Sequence, residues 1–196
     1  IILSTGMSTI PQINASVDIL LRNGLDLPDL TILHCTSDYP APFDTLNMAA
    51  IPIIRNEFGT AVGYSDHSNG NEAAVMAVAL GATIVEKHIT IDRNMPGPDH
   101  RASMEPTQFL DYVSAIRNAS LALGNGTKQP SPAEVENSKI VRKSIVAKKP
   151  IKQGEMLTLE NLTTKRPGTG VSPMHWYDVV GTSAIRDFEL DELIEI

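Results

Sequence analysis

Two histidines, His67 and His88, each stand just beyond a short apolar run of the sequence. Such runs are typical of strands buried on both faces in a parallel sheet. Because neighbouring strands lie about 4.8 Å apart, two imidazoles at matching heights could share one metal ion. Imidazole suits zinc, manganese and iron, and two His ligands leave positions open for water or a substrate oxygen. The spacing alone leaves a second interpretation open, in which both histidines only form hydrogen bonds at the rim of the sheet.

Two carboxylates flank these histidines. Asp66 directly precedes His67, and Glu86 stands two residues before His88. In strict alternation Asp66 points away from His67, whereas Glu86 shares the face of His88. Glu86 could therefore orient a ligand or bind the ion. A structural salt bridge between Glu86 and Lys87 or another rim residue is an equal alternative.

Other polar residues also follow the apolar runs. The hydroxyls of Ser4, Ser37 and Ser65, together with backbone N–H groups, could receive a phosphate or carboxylate, although each alone is also typical of a helix cap. Tyr39 is either a substrate contact or an anchor for its loop. Asp99 lies in a rigid Pro-Gly-Pro loop, as a residue of the site or as a turn former that bonds its own backbone.

Strand–helix units must position these residues. The apolar runs that predict strands are residues 1–3, 31–33, 60–64 and 82–85. Helical periodicity follows each run: one helix ends near Gly24, and three more cover residues 46–58, 72–80 and 106–123, with Pro52 expected to disrupt the second. The alternation predicts an α/β fold with a parallel sheet, and polar residues at all four strand ends match the active-site end of a (β/α)8 barrel. A whole barrel needs about 250 residues, so residues 1–123 predict half of one.

A second region follows the predicted half barrel. Residues 124–138 are rich in Gly, Pro, Ser and charge and predict a linker. Residues 139–196 predict a small domain of β pieces (144–147, 179–180 and 184–185) with little core of its own. In it, Arg166 beside a stiff turn is either solvated or binds polar oxygens. The chain opens on an apolar run without Met, which we interpret as a fragment.

Composition narrows the class of protein. The 196 residues carry 16 basic and 23 acidic side chains, a net charge of −7, which argues against a nucleic acid or an anionic membrane as partner. The least polar stretch, residues 73–85, is shorter than the roughly 18 residues of a membrane span. The single cysteine, Cys35, excludes an internal disulfide framework and favours a reducing, cytoplasmic setting.

Several motifs together resemble the bacterial sialic acid synthase family. They are His-Cys-Thr-Ser-Asp-Tyr-Pro-Ala-Pro at 34–42, Gly-Tyr-Ser-Asp-His at 63–67, Glu-Lys-His-Ile-Thr at 86–90 and Pro-Gly-Pro-Asp at 96–99. Lys-Arg-Pro-Gly-Thr-Gly at 165–170 resembles the signature of that family's antifreeze-like (SAF) domain. The resemblance covers the whole chain in order. It implies the second half of a (β/α)8 TIM barrel (1–123), a linker (124–138) and a small β-rich antifreeze-like domain (139–196).

The resemblance implies a transferase, an N-acetylneuraminate synthase that condenses phosphoenolpyruvate with N-acetylmannosamine and water and releases phosphate. Legionaminate and pseudaminate synthases share the motifs. Ser37 and Ile89 stand where family members often carry Asn and Phe, which leaves the acceptor sugar open. A different class is a non-catalytic sugar-binding module built on the antifreeze-like domain. The paired histidines favour catalysis, because a binding module needs no open metal site.

Family likeness also implies residue roles. His67 and His88 would bind a divalent ion, Mn2+ with Mg2+ or Co2+ as alternatives, and act in catalysis with Asp99. Ser4, Ser37 and Ser65 would contact phosphoenolpyruvate, Tyr39 and Asp99 would hold the amino sugar, and Arg166 would reach its N-acetyl group from the partner of a domain-swapped homodimer. The family's phosphoenolpyruvate-binding lysines and an early glutamate lie in strands that this chain lacks. We therefore expect the chain alone to be inactive.

Overall fold

The computed structural model describes residues 1–196, which form two compact units, Ile1–Gly126 and Thr127–Ile196. Each unit has its own sheet and its own cluster of buried apolar side chains. None of the helices combines the length and the apolar composition that a membrane span requires.

The first unit is built on a parallel sheet of four strands in chain order, as the apolar runs predict. The strands are β1 (Ile2–Ser4), β2 (Thr31–Cys35), β3 (Ala61–Asp66) and β4 (Ile84–Lys87). All three pairings are parallel. Parallel neighbours require a crossover between successive strands, and a helix provides each one. The sheet is therefore four strands of a half-barrel type.

The four predicted helices of this unit are confirmed, with shifted ends. They are α1 (Ile10–Arg22), α2 (Ala50–Phe58), α3 (Glu72–Ala79) and α4 (Pro106–Leu123). Thr9 is the N-cap of α1, and its backbone N–H donates to Gln12 Oε1 at 2.8 Å. A capping interaction of this type satisfies an N–H that has no partner within the helix.

Pro52 does not break α2, contrary to the expectation. The helix begins at Ala50 rather than at residue 46, so Pro52 lies in its first turn. The backbone nitrogens of the first turn have no acceptor within the helix, so the missing N–H of proline costs nothing there. Gly59 ends the helix with φ of 62°, a left-handed conformation that glycine adopts without strain.

The core of the first unit lies between the sheet and its helices. Side chains that alternate along β2 and β3, such as Ile32, Val62 and Tyr64, point into this layer. The helices contribute one face each. The buried helix residues are Ile13 and Val17 from α1, Ile51, Ile54 and Phe58 from α2, and Ala73 and Ala77 from α3.

A helix stands within the segment that composition predicts as a linker. Residues Pro132–Val141 form α5, which begins at the N-cap Ser131. The Ser131 N–H donates to Glu134 Oε2 at 2.7 Å, and the Glu134 N–H donates to Ser131 Oγ at 3.3 Å. Proline in the first turn and this reciprocal capping box both favour a helix start. These position-specific signals outweigh the Pro- and Ser-rich composition.

The second unit holds an antiparallel pair, β5 (Ser144–Ala147) and β6 (Leu162–Lys165). The strand predicted at 179–180 is wrong, because Val179 ends a short helix, α6 (Trp176–Val179). The piece predicted at 184–185 is reduced to a bridge between Ser183 and Met156.

The expectation that this unit has little core is also wrong. Nine buried apolar residues form one cluster, among them Ile145, Leu157, Phe188 and Ile194. A unit with its own close-packed core can unfold as one cooperative system.

We predict that residues 127–196 alone unfold in a single cooperative transition, measured by circular dichroism in urea. Phe188→Ala should lower the free energy of unfolding by about 3–5 kcal/mol, because it leaves a cavity in the core. The matched control is Tyr177→Ala, whose side chain is 89% exposed and whose loss should change stability little. A broad, non-cooperative loss of signal, or equal effects of the two variants, would contradict this assignment of the core.

Candidate active site

An open cleft of about 370 Å³ lies at the carboxyl ends of the four strands. Six of the residues predicted from the sequence line it: Ser4, Ser37, Tyr39, Ser65, His67 and His88. The cleft also includes residues to which the sequence gave no firm role, namely Thr5, Gly6, Met7, Cys35 and Glu86. Side chains from four separate strand ends thus meet in one place, because parallel strands bring their carboxyl ends to one edge.

His67 is fixed by contacts on both its ring and its backbone. Its Nδ1 lies 2.7 Å from the carbonyl oxygen of Thr36, and its own carbonyl accepts from the Ala41 N–H at 2.9 Å. A carbonyl oxygen only accepts, so Nδ1 carries a proton, and in the neutral imidazole Nε2 then keeps its lone pair. Ser65 Oγ is 3.4 Å from that Nε2. The tautomer is therefore the one that a metal ligand bound through Nε2 needs.

His88 lies beside His67. The two ring centroids are 5.4 Å apart and the ring planes are inclined by 69°. No protein group hydrogen-bonds to either ring nitrogen of His88, while its carbonyl accepts from the Met104 N–H at 3.0 Å. Tyr39 packs against both rings, at 4.2 Å from the centroid of His67 and 5.7 Å from that of His88.

The donor set suits a two-histidine metal site. One imidazole has its Nε2 lone pair available and the other has no protein partner, which fits a borderline divalent ion. No group of three or more His, Cys, Asp or Glu side chains is arranged to hold a metal ion. Within this chain, an ion between His67 and His88 would have these two side chains as its ligands.

Glu86 pairs with a serine and not with a cation. Ser65 and Glu86 are opposite each other in the β3–β4 register, and Ser65 Oγ donates to Glu86 Oε1 at 2.6 Å. The alternative of a Glu86–Lys87 salt bridge is wrong, because Lys87 lies on the other face of the sheet and pairs with Asp66. While Ser65 donates to Glu86, its hydroxyl presents lone pairs elsewhere, so it must turn to donate to an anion.

A buried ion pair lies on the helix side of the same strands. Lys87 Nζ is 3.2 Å from Asp66 Oδ2, and the two side chains are 3% and 0% exposed. Asp66 also accepts from the Ser68 N–H at 2.8 Å, the Ser68 hydroxyl at 2.7 Å and the Tyr112 hydroxyl at 2.8 Å. Lys87 donates in addition to the Ser68 carbonyl. Alternation along β3 predicts that Asp66 points away from His67, but its partners come from the register with β4 and from α4, which no local pattern indicates.

Burial and the charge of Asp66 shift the pKa values of three groups, namely Lys87, Tyr64 and Tyr112. Burial lowers the pKa of Lys87 because it disfavours the ammonium, and the negative charge of Asp66 opposes this effect. Burial raises the pKa values of Tyr112 and Tyr64 above the usual range of tyrosine, and the negative charge of Asp66 raises them further. The two phenols therefore remain protonated beside the carboxylate.

Two predicted site residues lie outside the cleft. Asp99 is an exposed residue before a single 3-10 turn (His100–Ala102), and its carbonyl accepts from the Ser103 hydroxyl at 2.7 Å. It does not line the cleft, and its contact with an amino sugar stays a prediction. Arg166 belongs to the second unit, where its Nε donates to the Val141 carbonyl at 3.0 Å. Its role also stays a prediction.

Comparison with known proteins agrees with this geometry. The NeuB family model matches residues 1–128, and the SAF domain model matches residues 142–195. The chain belongs to the NeuB family. The N,N'-diacetyllegionaminic acid synthase of Campylobacter jejuni is 46% identical over 99% of this chain and 58% of that protein. The human N-acetylneuraminate-9-phosphate synthase is 37% identical over 85% of this chain and 47% of that protein.

A solved structure is also similar to this chain. The putative spore coat polysaccharide biosynthesis protein E of Chromobacterium violaceum superposes with a TM-score of 0.72 at 30% identity, over 98% of this chain and 58% of that one. The chain thus spans about half the length of the relatives that it matches. Within that span it has the half-barrel sheet and the SAF domain of the NeuB family.

We predict that Tyr64 and Tyr112 keep their phenolic protons at pH values where free tyrosine, with a pKa of about 10, ionises. Tyr64→Phe and Tyr112→Phe should leave the alkaline absorbance titration of the folded chain at 295 nm unchanged. After unfolding in guanidinium, each variant should show the loss of one of the four tyrosines.

The same shifts fix how stability depends on pH. A phenol whose pKa is raised in the folded state stabilises it fully below the unfolded pKa. The stabilisation is lost as pH rises above about 10, where only the unfolded chain gives up its proton. The free energy of unfolding should therefore fall above pH 10, and less steeply in Tyr112→Phe. A native titration that either substitution diminishes would contradict the burial of these phenols.

Proposed function

We propose that this chain supplies part of the catalytic barrel and the SAF domain of a nonulosonic acid synthase, a transferase that condenses phosphoenolpyruvate with an N-acetylated amino sugar. The observation that carries the proposal is the cleft itself. Four of the predicted residues, Ser4, Ser37, Tyr39 and Ser65, converge there around the imidazoles of His67 and His88. His88 lines the cleft and its ring nitrogens have no protein partner, so they are available to a ligand.

His67 and His88 would hold the divalent ion, for which we propose Mn2+. Bound there, such an ion supplies Lewis-acid polarisation of the carbonyl oxygen of the sugar aldehyde. The contact between Nδ1 of His67 and the Thr36 carbonyl holds one imidazole in the required tautomer before anything binds. Tyr39, packed against both rings, shields one side of the pair from water.

The serines account for the anionic substrate. Ser4, Ser37 and Ser65 place three hydroxyls in the cleft, and phosphate or carboxylate oxygens accept from such donors. Glu86 holds the Ser65 hydroxyl until an anion competes for it. Hydroxyls alone do not neutralise the charge of phosphoenolpyruvate, so cations from outside this chain are required. This is why we expect residues 1–196 alone to be inactive.

Two acceptor sugars are candidates. The motifs favour N-acetylmannosamine, which would give N-acetylneuraminate. The 46% identity to a N,N'-diacetyllegionaminic acid synthase favours the acceptor of that enzyme as the second candidate. Tyr39, and Asp99 from its loop, are the residues that we propose for the sugar.

We predict that the histidine pair is essential in a complete barrel. Residues 1–196 would replace the matched region of the C. jejuni synthase, which supplies the remainder. In this chimera His67→Ala or His88→Ala should lower kcat/KM by about 10³-fold, because several kcal/mol of charge stabilisation are lost. Phosphate release would be measured with each acceptor sugar in turn.

His175→Ala is the matched control. His175 is exposed, pairs with Asp178 in the second unit and is not among the residues that line the cleft, so its loss should leave turnover unchanged. Full activity after loss of both cleft histidines would refute the proposal. Binding of an amino sugar without any turnover in the unmodified chimera would favour a sugar-binding module instead.

We further propose that the enzyme is a homodimer in which Arg166 reaches the amino sugar in the site of the partner subunit. Arg166 is exposed, and its single protein contact, to the Val141 carbonyl, leaves both terminal nitrogens of the guanidinium available. A planar guanidinium suits an amide oxygen.

Mixing two inactive chimeras tests this placement. Arg166→Ala and His67→Ala should each be inactive alone. After subunit exchange, each heterodimer regains one intact site, so activity should return to at most about half of the sites. Mixing that restores nothing would show that Arg166 acts within its own subunit or has no part in the reaction.

A further inference from the structure

The two histidines each follow directly on one member of the buried ion pair. Asp66 precedes His67 and Lys87 precedes His88, and Asp66 and Lys87 are opposite each other in the β3–β4 register. Their side chains meet on the helix side, while the imidazoles meet in the cleft on the other side. The ion pair is thus a link across the two strands at the level just before the histidines.

Asp66 also fixes the backbone beyond His67. One of its oxygens, Oδ1, accepts from both the N–H and the hydroxyl of Ser68, at 2.8 and 2.7 Å. Lys87 donates to the carbonyl of the same residue. The residues before and after His67 are therefore held to one network, which leaves its backbone little freedom.

Helix α4 anchors this network from outside the sheet. Tyr112 donates to Asp66 Oδ2 at 2.8 Å, and the Lys87 ammonium lies 5.5 Å from the centre of the Tyr112 ring. Replacing a buried ion pair by apolar side chains is often neutral for stability or even favourable. Stability alone does not require this pair, whereas hydrogen bonds with fixed directions hold two strands in one relative position.

We infer that the Asp66–Lys87 pair, anchored by Tyr112, sets the separation and orientation of the His67 and His88 imidazoles. The three are positioning residues, since none of them lines the cleft. Their relevance to catalysis rests on the proposed function, but the placement of the rings can be measured without it.

The test uses the full 196-residue chain with Asp66→Asn/Lys87→Met as the main variant. The double substitution leaves no unpaired buried charge, and the asparagine oxygen still accepts from Ser68, so the chain should remain folded. The matched control is Asp187→Asn/Lys152→Met, which removes an exposed ion pair in the second unit. Mn2+ binding is followed by electron paramagnetic resonance, and the metal-free rings by histidine-labelled NMR.

In the main variant the Kd for Mn2+ should rise by about 10- to 100-fold, as for other partners that orient metal ligands. The nuclear Overhauser contact between the two rings, whose centroids are 5.4 Å apart, should weaken or disappear in the metal-free chain. Tyr112→Phe, which keeps the ion pair, should change both quantities in the same direction and less. The control pair should change neither.

A folded main variant with unchanged Kd and an unchanged ring contact would overturn the inference and leave the pair a purely structural element. If the unmodified chain binds no Mn2+, or binds it equally after His67→Ala, the proposed metal site fails. The ring contact in the metal-free variants still decides the inference in that case. If the double variant does not fold, the ring contact in Tyr112→Phe decides it, and an unchanged contact overturns it.

Discussion

The parallel register of β3 and β4 is the constraint on which the rest of the site depends. It places Ser65 opposite Glu86 and Asp66 opposite Lys87, so hydroxyl, carboxylate and imidazoles face the cleft while the charged pair faces the helices. A slip of one residue would exchange the two faces. The buried charges would then enter the cleft, and the histidines would enter an apolar layer that offers no ligand.

This register tolerates the buried charge of Asp66 because its carboxylate has partners on both oxygens. Both carboxylate oxygens of Asp66 are occupied, by Ser68, Tyr112 and Lys87. Desolvation of an ion pair costs several kcal/mol per ion unless hydrogen bonds and attraction offset it. The network therefore couples the strand ends to α4. Loss of one partner would leave a buried charge whose desolvation cost is no longer offset. The groups of this network support the cleft although none of them lines it.

Sequence reasoning reached the parts of this fold that repeat with a period. The apolar runs predicted all four strands, and the residues just beyond them predicted six members of the cleft, because parallel strands end at one edge. The predictions were wrong or incomplete where the outcome depends on the position of a residue within its helix. Pro52 is harmless only because α2 starts at Ala50, and α5 depends on a capping box at Ser131 within a linker-like composition. Tyr112 is 46 residues from Asp66, and no local pattern connects the two.

The two histidines are not equivalent, although the sequence makes them look alike. The Thr36 carbonyl can only accept, so it fixes a proton of His67 on Nδ1 and turns Nε2 away from this partner. His88 has no such partner, and its side chain is limited by packing against His67 and Tyr39. One imidazole is therefore fixed by a directional hydrogen bond, and the other is held by packing alone.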